Sequence, residues 1–189
     1  MKSFYSQNEL NAIDFKSIGK NVLISRFARL YSPSTLSIGD NVRIDDFCIL
    51  SGDIKLGSHI HIGAYCALYG AGGIRMCDFS GLSSRVSIYS ASDDYLGGAL
   101  TNSCIPDKYR EIDTGIVKME KHSLIGANSV VLPNSTLGEG AVVGAISLVK
   151  GNLSEWSIYA GIPAKRIKNR DREIIYKYER EIARQNETN

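Results

Sequence analysis

The chain has 189 residues, of which 43% are hydrophobic and 22% charged, with a formal net charge of +2. These values are ordinary for one soluble domain and give no reason to expect nucleic-acid binding. No stretch resembles a membrane span, and residues 1–10 lack a signal-peptide core, so we expect a cytoplasmic protein. The four cysteines include no Cys-X-X-Cys pair, and we expect Cys48 and Cys66 to be small buried hydrophobes.

The first predicted element is a short N-terminal helix. Ser6 and Glu9 have the spacing of a capping box, which predicts a helix that ends near Ile13. A terminal cap is expected where a repeat structure begins. We therefore assign residues 1–17 to an N-terminal cap.

After this cap the sequence acquires a period of six residues. Neither an α-helix nor an alternating strand requires that period, whereas a solenoid does, because each repeat places one side chain in the same part of a continuous core. Glycine or another small residue often follows, which suits tight corners. The periodic aliphatic positions are Ile38, Ile44, Leu50, Leu56, Ile62, Leu68, Ile74, Met119, Ile125, Val131, Leu137, Val143 and Val149.

This pattern resembles the hexapeptide repeat of the left-handed parallel β-helix, in which three hexapeptides form one triangular coil. The repeat covers roughly residues 18–153. The resemblance implies an all-β fold of about seven coils, and we place this domain at residues 18–160. A register slip is expected near residues 30–36, where Ser32-Pro33-Ser34 marks a turn.

The six-residue rhythm fails in the middle of the chain, between about Asp93 and Gly115. That stretch is polar, rich in turn residues and too long for a corner, so we predict a loop, residues 93–115, that projects from the prism. Long loops on a rigid scaffold usually carry function.

The last part of the chain, residues 161–189, has a different composition. From Asp171 to Gln185 the sequence predicts an amphipathic helix with Ile174, Tyr178 and Ile182 on one face. We expect that face to pack against the prism or against a neighbouring subunit.

The C-terminal coils are similar to those of the hexapeptide acyltransferases, in residues 125–133 and in Tyr-Ala-Gly-Ile-Pro-Ala-Lys at 159–165. Members of that family are typically homotrimers that bind acyl-CoA in the groove between adjacent prisms. The resemblance thus implies a homotrimer with acetyl-CoA or another acyl-CoA as co-substrate and no metal. It places the pantetheine arm at the backbone of Ala127 and Ala145. Clustered cations suit phosphates, and the residues implied for the CoA phosphates are Lys150, Lys165 and Arg166.

The loop lacks a residue that the galactoside, maltose and xenobiotic acetyltransferases use as a base. Those enzymes carry a loop histidine, whereas this chain has none between Ile62 and Lys121. A sugar hydroxyl needs a base with a pKa near the working pH, and an ordinary aspartate, at about 3.9, is a poor one. A sugar amine is already nucleophilic once it is neutral. The loop therefore favours N-acylation over O-acylation.

A closer resemblance runs the full length of the chain. Asp93-Asp94-Tyr95, Ser83-Ser84-Arg85, Phe4-Tyr5-Ser6 and residues 42–52 are similar to the N-acyltransferases of the viosamine and anthrose pathways. Those enzymes acylate the 4-amino group of dTDP-4-amino-4,6-dideoxyglucose, and the product here would feed surface-glycan assembly. The resemblance implies catalytic roles near the amine for Asp94 and Ser84. The residues it implies for contact with the sugar or pyrophosphate are Asp93, Tyr95 and Asn102.

Three alternatives stay open at this point. If His59, His61 or His122 acts as a base, the chain would instead be a polysaccharide O-acetyltransferase. Three histidines also permit a zinc site like that of γ-class carbonic anhydrases, provided that their nitrogens converge. The third alternative is an inactive prism that binds no CoA, because fold alone does not establish activity.

Overall fold

The computed structural model describes residues 3–187 and shows a left-handed parallel β-helix of about seven turns. The predicted fold class is confirmed. Short parallel strands stack coil upon coil on three faces of a triangular prism. Neither helix within residues 3–187 combines the length and hydrophobicity needed to cross a bilayer.

Each face of the prism is one ladder of strands. The first face contains β2 (Leu23–Ile24), β5 (Arg43–Ile44), β7 (His61–Ile62), β9 (Gly81–Leu82), β14 (Leu124–Ile125), β17 (Val142–Val143) and β20 (Ser157–Ala160). The second contains β3 (Arg29–Tyr31), the first halves of β6 (Ile49–Leu56) and β8 (Ala67–Met76), β10 (Ser87–Tyr89), β15 (Val130–Val131) and β18 (Leu148–Val149). The third contains β1 (Ser17–Ile18), β4 (Leu36–Ile38), the second halves of β6 and β8, β13 (Val117–Met119), β16 (Thr136–Leu137) and β19 (Asn152–Leu153).

The periodic aliphatic side chains fill the core of the prism. Leu50, Leu68, Ile88, Val131 and Val149 lie on successive rungs of the second face, and all are fully buried. Cys48 and Cys66 are also fully buried and are free thiols, as predicted. The neighbouring Cys66 side chain and burial both raise the pKa of the Cys48 thiol, so that thiol is neutral.

The register slips twice along the prism. Leu30 pairs with Leu50, but Leu36 pairs with Ile54, so the coil that contains the 3-10 turn Pro33–Thr35 carries two extra residues, at the predicted place. The second slip was not predicted. Leu56 pairs with Met76 rather than with Ile74, because the next coil is longer at residues 71–73.

The N-terminal helix α1 spans Gln7–Asn11 and closes the first coil with the buried Leu10. The capping box is present: Glu9 N donates to Ser6 Oγ, and Ser6 N donates to Glu9 Oε2 at 2.8 Å. Arg26 Nη2 donates to the same carboxylate at 2.6 Å. This pairing lowers the pKa of Glu9 to about 2.

The insertion between coils is not a loop throughout, because it begins and ends in two short antiparallel strands, which together form a stalk. Its strands are β11 (Ala91–Asp93) and β12 (Ile112–Thr114). The stalk encloses the 3-10 turn Asp107–Tyr109. The chain then continues into β13, which pairs directly with β8, so the prism resumes without a gap in its hydrogen bonding.

The C-terminal region begins with β21 (Lys165–Asn169), which pairs antiparallel with β20, and continues into α2 (Glu173–Glu187). Helix α2 packs on the prism through Tyr176 and Glu179. Tyr176 Oη donates to Glu139 Oε1 at 2.9 Å, and the rings of Tyr176 and Trp156 lie 5.1 Å apart.

Two of the three predicted apolar residues of α2 do not pack on its own prism. Ile174 and Tyr178 are each 55% exposed. The contact instead uses the polar neighbour Glu179, which accepts from Lys121 Nζ at 2.9 Å. The apolar stripe is therefore left available for a second chain.

Candidate active site

Ser84 lies on one corner of the prism, in a column that also contains two of the predicted CoA-binding positions. The residue after each member of the column donates its backbone N–H to the carbonyl oxygen of the column residue in the preceding coil. Asn128 N donates to Ser84 O at 3.1 Å, and Ile146 N donates to Ala127 O at 2.8 Å. Ser84, Ala127 and Ala145 therefore occupy equivalent positions on three consecutive coils.

The corner geometry exposes this column to a partner molecule. The residues that follow it, among them Arg85, Asn128 and Ile146, adopt positive φ angles of 54–61°, which turn the chain sharply. Ser84 and Ala145 are exposed, and Ser84 Oγ has no hydrogen-bond partner within residues 3–187. Ser84 is thus not a small residue of the buried rung, and its hydroxyl can both donate and accept.

The loop residues predicted to contact the sugar line one cavity of about 440 Å³. Asp93, Asp94, Tyr95 and Asn102 all contribute to its wall, together with Gly97, Ala99 and Thr101. Ser84 is not among the residues that line it. Within one chain, the predicted site therefore consists of a loop cavity and a separate corner column.

Asp94 organises the tip of this loop with its carboxylate. Oδ1 accepts from Leu96 N at 2.7 Å, and Oδ2 accepts from Gly98 N at 2.6 Å and from Ala99 N at 3.1 Å. These backbone N–H groups, led by that of Leu96, hold the pKa of Asp94 below its usual range. Asp94 is consequently an anion at neutral pH.

Asp93 is held in a different way. Its Oδ1 accepts from Arg110 Nη2 at 3.1 Å, and its Oδ2 accepts from Asn102 N at 3.3 Å. Asn102 in turn accepts from Cys104 N at 3.0 Å through its own side chain. Arg110 was missed by the sequence analysis, because an isolated arginine inside a polar loop carries no motif that distinguishes it from a solvated residue.

The predicted phosphate-binding residues lie near one another at the C-terminal end of the prism. Leu148 N donates to Gly161 O at 3.0 Å and Ala164 N donates to Leu148 O at 2.8 Å, so the segment before Lys165 lies against β18, which leads to Lys150. Both lysines are exposed and without ion pairs in the described part of the chain. They are available to an anion.

Arg166 differs from these lysines because protein groups already bind it. Its Nε donates to Ser157 Oγ at 3.1 Å, and its Nη2 donates to Asn169 Oδ1. A phosphate contact at Arg166 would compete with these hydrogen bonds.

The three histidines lie in two separate environments. His59 and His122 stack on Phe79, at ring distances of 4.7 and 5.2 Å, so the Phe79 ring lies between them. His61 lies on β7 of the first face, where its Nε2 lies 2.7 Å from Asp45 Oδ2. The three rings therefore do not converge as a zinc site would require.

His122, one of the three candidate bases, does not face an open groove. It is 7% exposed, and its Nε2 lies 2.9 Å from Glu179 Oε2 of α2. The cause is α2, whose packing on this corner the period of six could not reveal. Only His61 combines exposure with a carboxylate partner.

Comparison with known proteins places this geometry in a family, although no protein-family model matches the chain. The chain is 41% identical over 176 residues to a dTDP-4-amino-4,6-dideoxy-D-glucose acyltransferase of Escherichia coli, covering 92% of each protein. It is also similar to AntD, an N-acyltransferase from Bacillus cereus solved with dTDP and 3-hydroxybutyryl-CoA. The two are 51% identical, with a TM-score of 0.95 over 98% of this chain and 100% of that one.

Two further AntD structures carry substitutions. The S84C variant, with dTDP-4-amino-4,6-dideoxyglucose and coenzyme A, has a TM-score of 0.94 over 98% of this chain and 99% of that one. The D94A variant, with dTDP and coenzyme A, has a TM-score of 0.95 over 98% of this chain and all of that one. Both are 52% identical to this chain. The chain belongs to the hexapeptide-repeat N-acyltransferases of nucleotide-linked 4-amino-4,6-dideoxysugars.

Proposed function

We propose that the protein transfers an acyl group from acyl-CoA to the 4-amino group of a dTDP-linked 4-amino-4,6-dideoxysugar. The observation that carries this proposal is the loop cavity, whose wall contains two adjacent carboxylates and no histidine. A carboxylate can accept a hydrogen bond from an amine, and it can thereby bind and orient that amine. The Escherichia coli relative is an acyltransferase named for this sugar, and the S84C variant of AntD was solved in complex with it.

The chemistry needs no strong base. The neutral amine attacks the thioester carbonyl carbon, a C–N bond forms, and the carbonyl electron pair moves onto oxygen. Collapse of this tetrahedral intermediate breaks the C–S bond. The nitrogen then gives up its extra proton to the departing CoA thiolate, so an amide and a thiol are the products. The protein must orient the amine and stabilise charge as it develops.

Asp94 is the residue that we assign to the amine. Its carboxylate is ionised and fixed by backbone N–H groups, so it can accept a hydrogen bond from the amine and stabilise the positive charge on nitrogen during attack. We assign Ser84 a supporting contact with the sugar, because its hydroxyl is exposed beside the Ala127 backbone. AntD has been solved with substitutions at a serine and an aspartate of the same numbers.

The other predicted residues complete the proposed site. Asp93, Tyr95 and Asn102 line the cavity and are assigned to the sugar or the pyrophosphate. The backbone at Ala127 and Ala145 would bind the pantetheine arm, and Lys150 and Lys165 the CoA phosphates. We give Arg166 the weakest phosphate role, because Ser157 and Asn169 already accept from it.

We further propose that the protein works as a homotrimer. In the single chain, the cavity that contains Asp94 and the corner that bears Ser84 are separate, so a complete site needs a neighbour. The exposed rings of Phe27, Phe47 and Tyr65 stack along that corner at 4.9–5.6 Å, which leaves an apolar ridge for a second chain. Sedimentation equilibrium should give three times the mass of the 20.7 kDa chain.

A specific observation supports one rival, O-acylation. His61 is exposed and hydrogen-bonded to Asp45, which is the arrangement of a general base with an orienting carboxylate. An enzyme that used it would accept hydroxyl acceptors. The rival therefore makes a different prediction about substrates.

Thiol release from acetyl-CoA and from 3-hydroxybutyryl-CoA, measured over a panel of acceptors, tests the proposal. The panel contains dTDP-linked 4-amino and 3-amino dideoxysugars, UDP-linked amino sugars and simple galactosides. We expect turnover with the dTDP-linked 4-amino sugar and none with the galactosides. Turnover with the galactosides that is lost in His61→Ala would establish O-acylation instead.

A further inference from the structure

Arg110 connects the two ends of the projecting loop. One residue separates it from β12, and its Nη2 reaches Asp93 Oδ1, at the end of β11, at 3.1 Å. The backbone adds a second connection nearby, because Asp94 N donates to Glu111 O at 3.1 Å. Arg110 therefore lies at the base of the cavity-forming part of the loop.

The burial of Arg110 is unusual for a residue in an exposed polar loop. Its side chain is 13% exposed, whereas that of Asp107, its other acidic neighbour, is 97% exposed. The contact to Asp107 is long, 3.4 Å, and Arg110 Nε is buried without a hydrogen-bond partner among the described residues. A buried guanidinium is costly unless it is paired, so its main partner must be Asp93.

This ion pair fixes the direction of a carboxylate that faces the loop cavity. Asp93 is constrained at both oxygens, by Arg110 Nη2 and by Asn102 N. Its neighbour Asp94 is held by backbone N–H groups alone. Among the described residues, Arg110 is thus the side-chain cation that pairs with this carboxylate, and it fixes the direction of the lone pairs that Asp93 presents to the cavity.

We infer that Arg110 is a positioning residue, which orients Asp93 for contact with the nucleotide sugar in the loop cavity. This inference rests on the proposed function, since it takes that cavity as the sugar site. It predicts that Arg110 acts on the affinity for the sugar nucleotide through Asp93. The affinity for acyl-CoA, whose proposed site is on the separate corner column, should not depend on it.

The test is a double-mutant cycle between Arg110→Met and Asp93→Asn, with steady-state constants for both substrates. We expect Arg110→Met to raise KM for the dTDP-linked amino sugar about tenfold or more, the scale of a charge-assisted hydrogen bond. KM for acetyl-CoA should stay within about twofold of the wild type, a change too small to reflect a lost contact. Arg110→Lys should recover part of the loss, and Asp107→Asn is the matched control that removes the weak partner.

The cycle separates positioning from a merely structural role. If Arg110 acts through Asp93, adding Arg110→Met to Asp93→Asn should change the sugar KM little, because the effects of coupled residues are not additive. Additive effects, an equal rise in both KM values, or a wild-type sugar KM in Arg110→Met would overturn the inference.

A second measurement decides the case even if the wild-type protein fails to turn over this sugar, an outcome that would contradict the proposed function alone. Asp93 Oδ2 accepts from Asn102 N, so loss of Arg110 should raise hydrogen exchange at the Asn102 amide while the amides of the coils stay protected. Unchanged exchange at Asn102 would show that Arg110 does not position Asp93.

Discussion

The prism and the projecting loop are stabilised in opposite ways. Each coil of the prism repeats the same burial, so that Leu50 and Leu68 occupy equivalent places and are both fully buried. The loop has no such repetition. It depends on single polar contacts, among them those of Asp93 and Asp94.

This difference divides stability from chemistry. The stability of a solenoid is approximately the sum of contributions from each repeat and from its contacts with neighbouring repeats. Equivalent rungs of the prism should therefore contribute to stability in the same way. The loop contributes little apolar burial: Tyr95 and Leu96 are 89% and 97% exposed. Its polar contacts instead fix the orientation of the Asp93 and Asp94 carboxylates. Substitutions in the two regions should therefore differ in kind.

The largest effect is expected in the core of the prism. Leu68→Ala removes a fully buried side chain and should lower the free energy of unfolding by about 2–5 kcal/mol, because it leaves a cavity between rungs. The same substitution in the loop, Leu96→Ala, is the matched control and should change stability by less than about 0.5 kcal/mol. Urea unfolding followed by circular dichroism measures both, and equal losses would show that the prism and the loop contribute to stability in the same way.

The next effect should be on turnover rather than on stability. Asp94→Asn replaces an ionised carboxylate by an amide whose NH2 group would face a backbone N–H, so kcat should fall by about tenfold or more. Asp107→Asn, at a fully solvated position of the same loop, should retain wild-type kcat. Thiol release measures both variants. A wild-type kcat in Asp94→Asn would remove Asp94 from the mechanism.

A smaller effect is expected at the CoA end of the prism. Lys165→Ala should raise KM for acyl-CoA about two- to fivefold, since one exposed cation contributes up to about 1 kcal/mol to an ion pair. Lys168→Ala, on the same strand, is the control and should leave that KM unchanged. The prediction fails if both variants behave alike.

The smallest effect concerns the N-terminal cap and depends on pH. The pKa of Glu9 is lowered from 4.5 to about 2, chiefly by its hydrogen bond to Arg26. A depressed pKa stabilises the folded state above pH 4.5, and this contribution is lost as the pH falls from about 4.5 to about 2. Glu9→Gln should therefore be less stable than wild type at pH 7, and the difference should disappear near pH 2. A pH-independent difference in melting temperature would show that the ion pair is not its cause.

The repeat allowed the sequence to predict the prism, because a period of six is a local signal. Ile44 and Leu50 therefore revealed the core, and the loss of rhythm after Asp93 revealed the loop. The slip at Pro33 was also visible as a turn signal. The slip at residues 71–73 was hidden, because Ile74 keeps the sixfold rhythm although Met76 takes the position in register.

Contacts that do not repeat from coil to coil could not be predicted from the sequence. The burial of His122 depends on α2, which meets that corner through Tyr176 and Glu179 rather than through its apolar stripe. The pairing of Arg110 with Asp93 joins residues 17 positions apart in a stretch without periodicity. Such contacts depend on how helices, strands and loops pack against one another, and the spacing of residues in the sequence does not reveal them.

The stalk formed by Ala91–Asp93 and Ile112–Thr114 makes the insertion a replaceable module. The prism receives only two adjacent chain ends from it, and β13 pairs with β8 as any following coil would. Doubling the length of a flexible insertion costs only about 0.6 kcal/mol in closure entropy. Exchange of residues 94–111 between proteins of this architecture would thus be a route to new acceptor specificity on an unchanged solenoid.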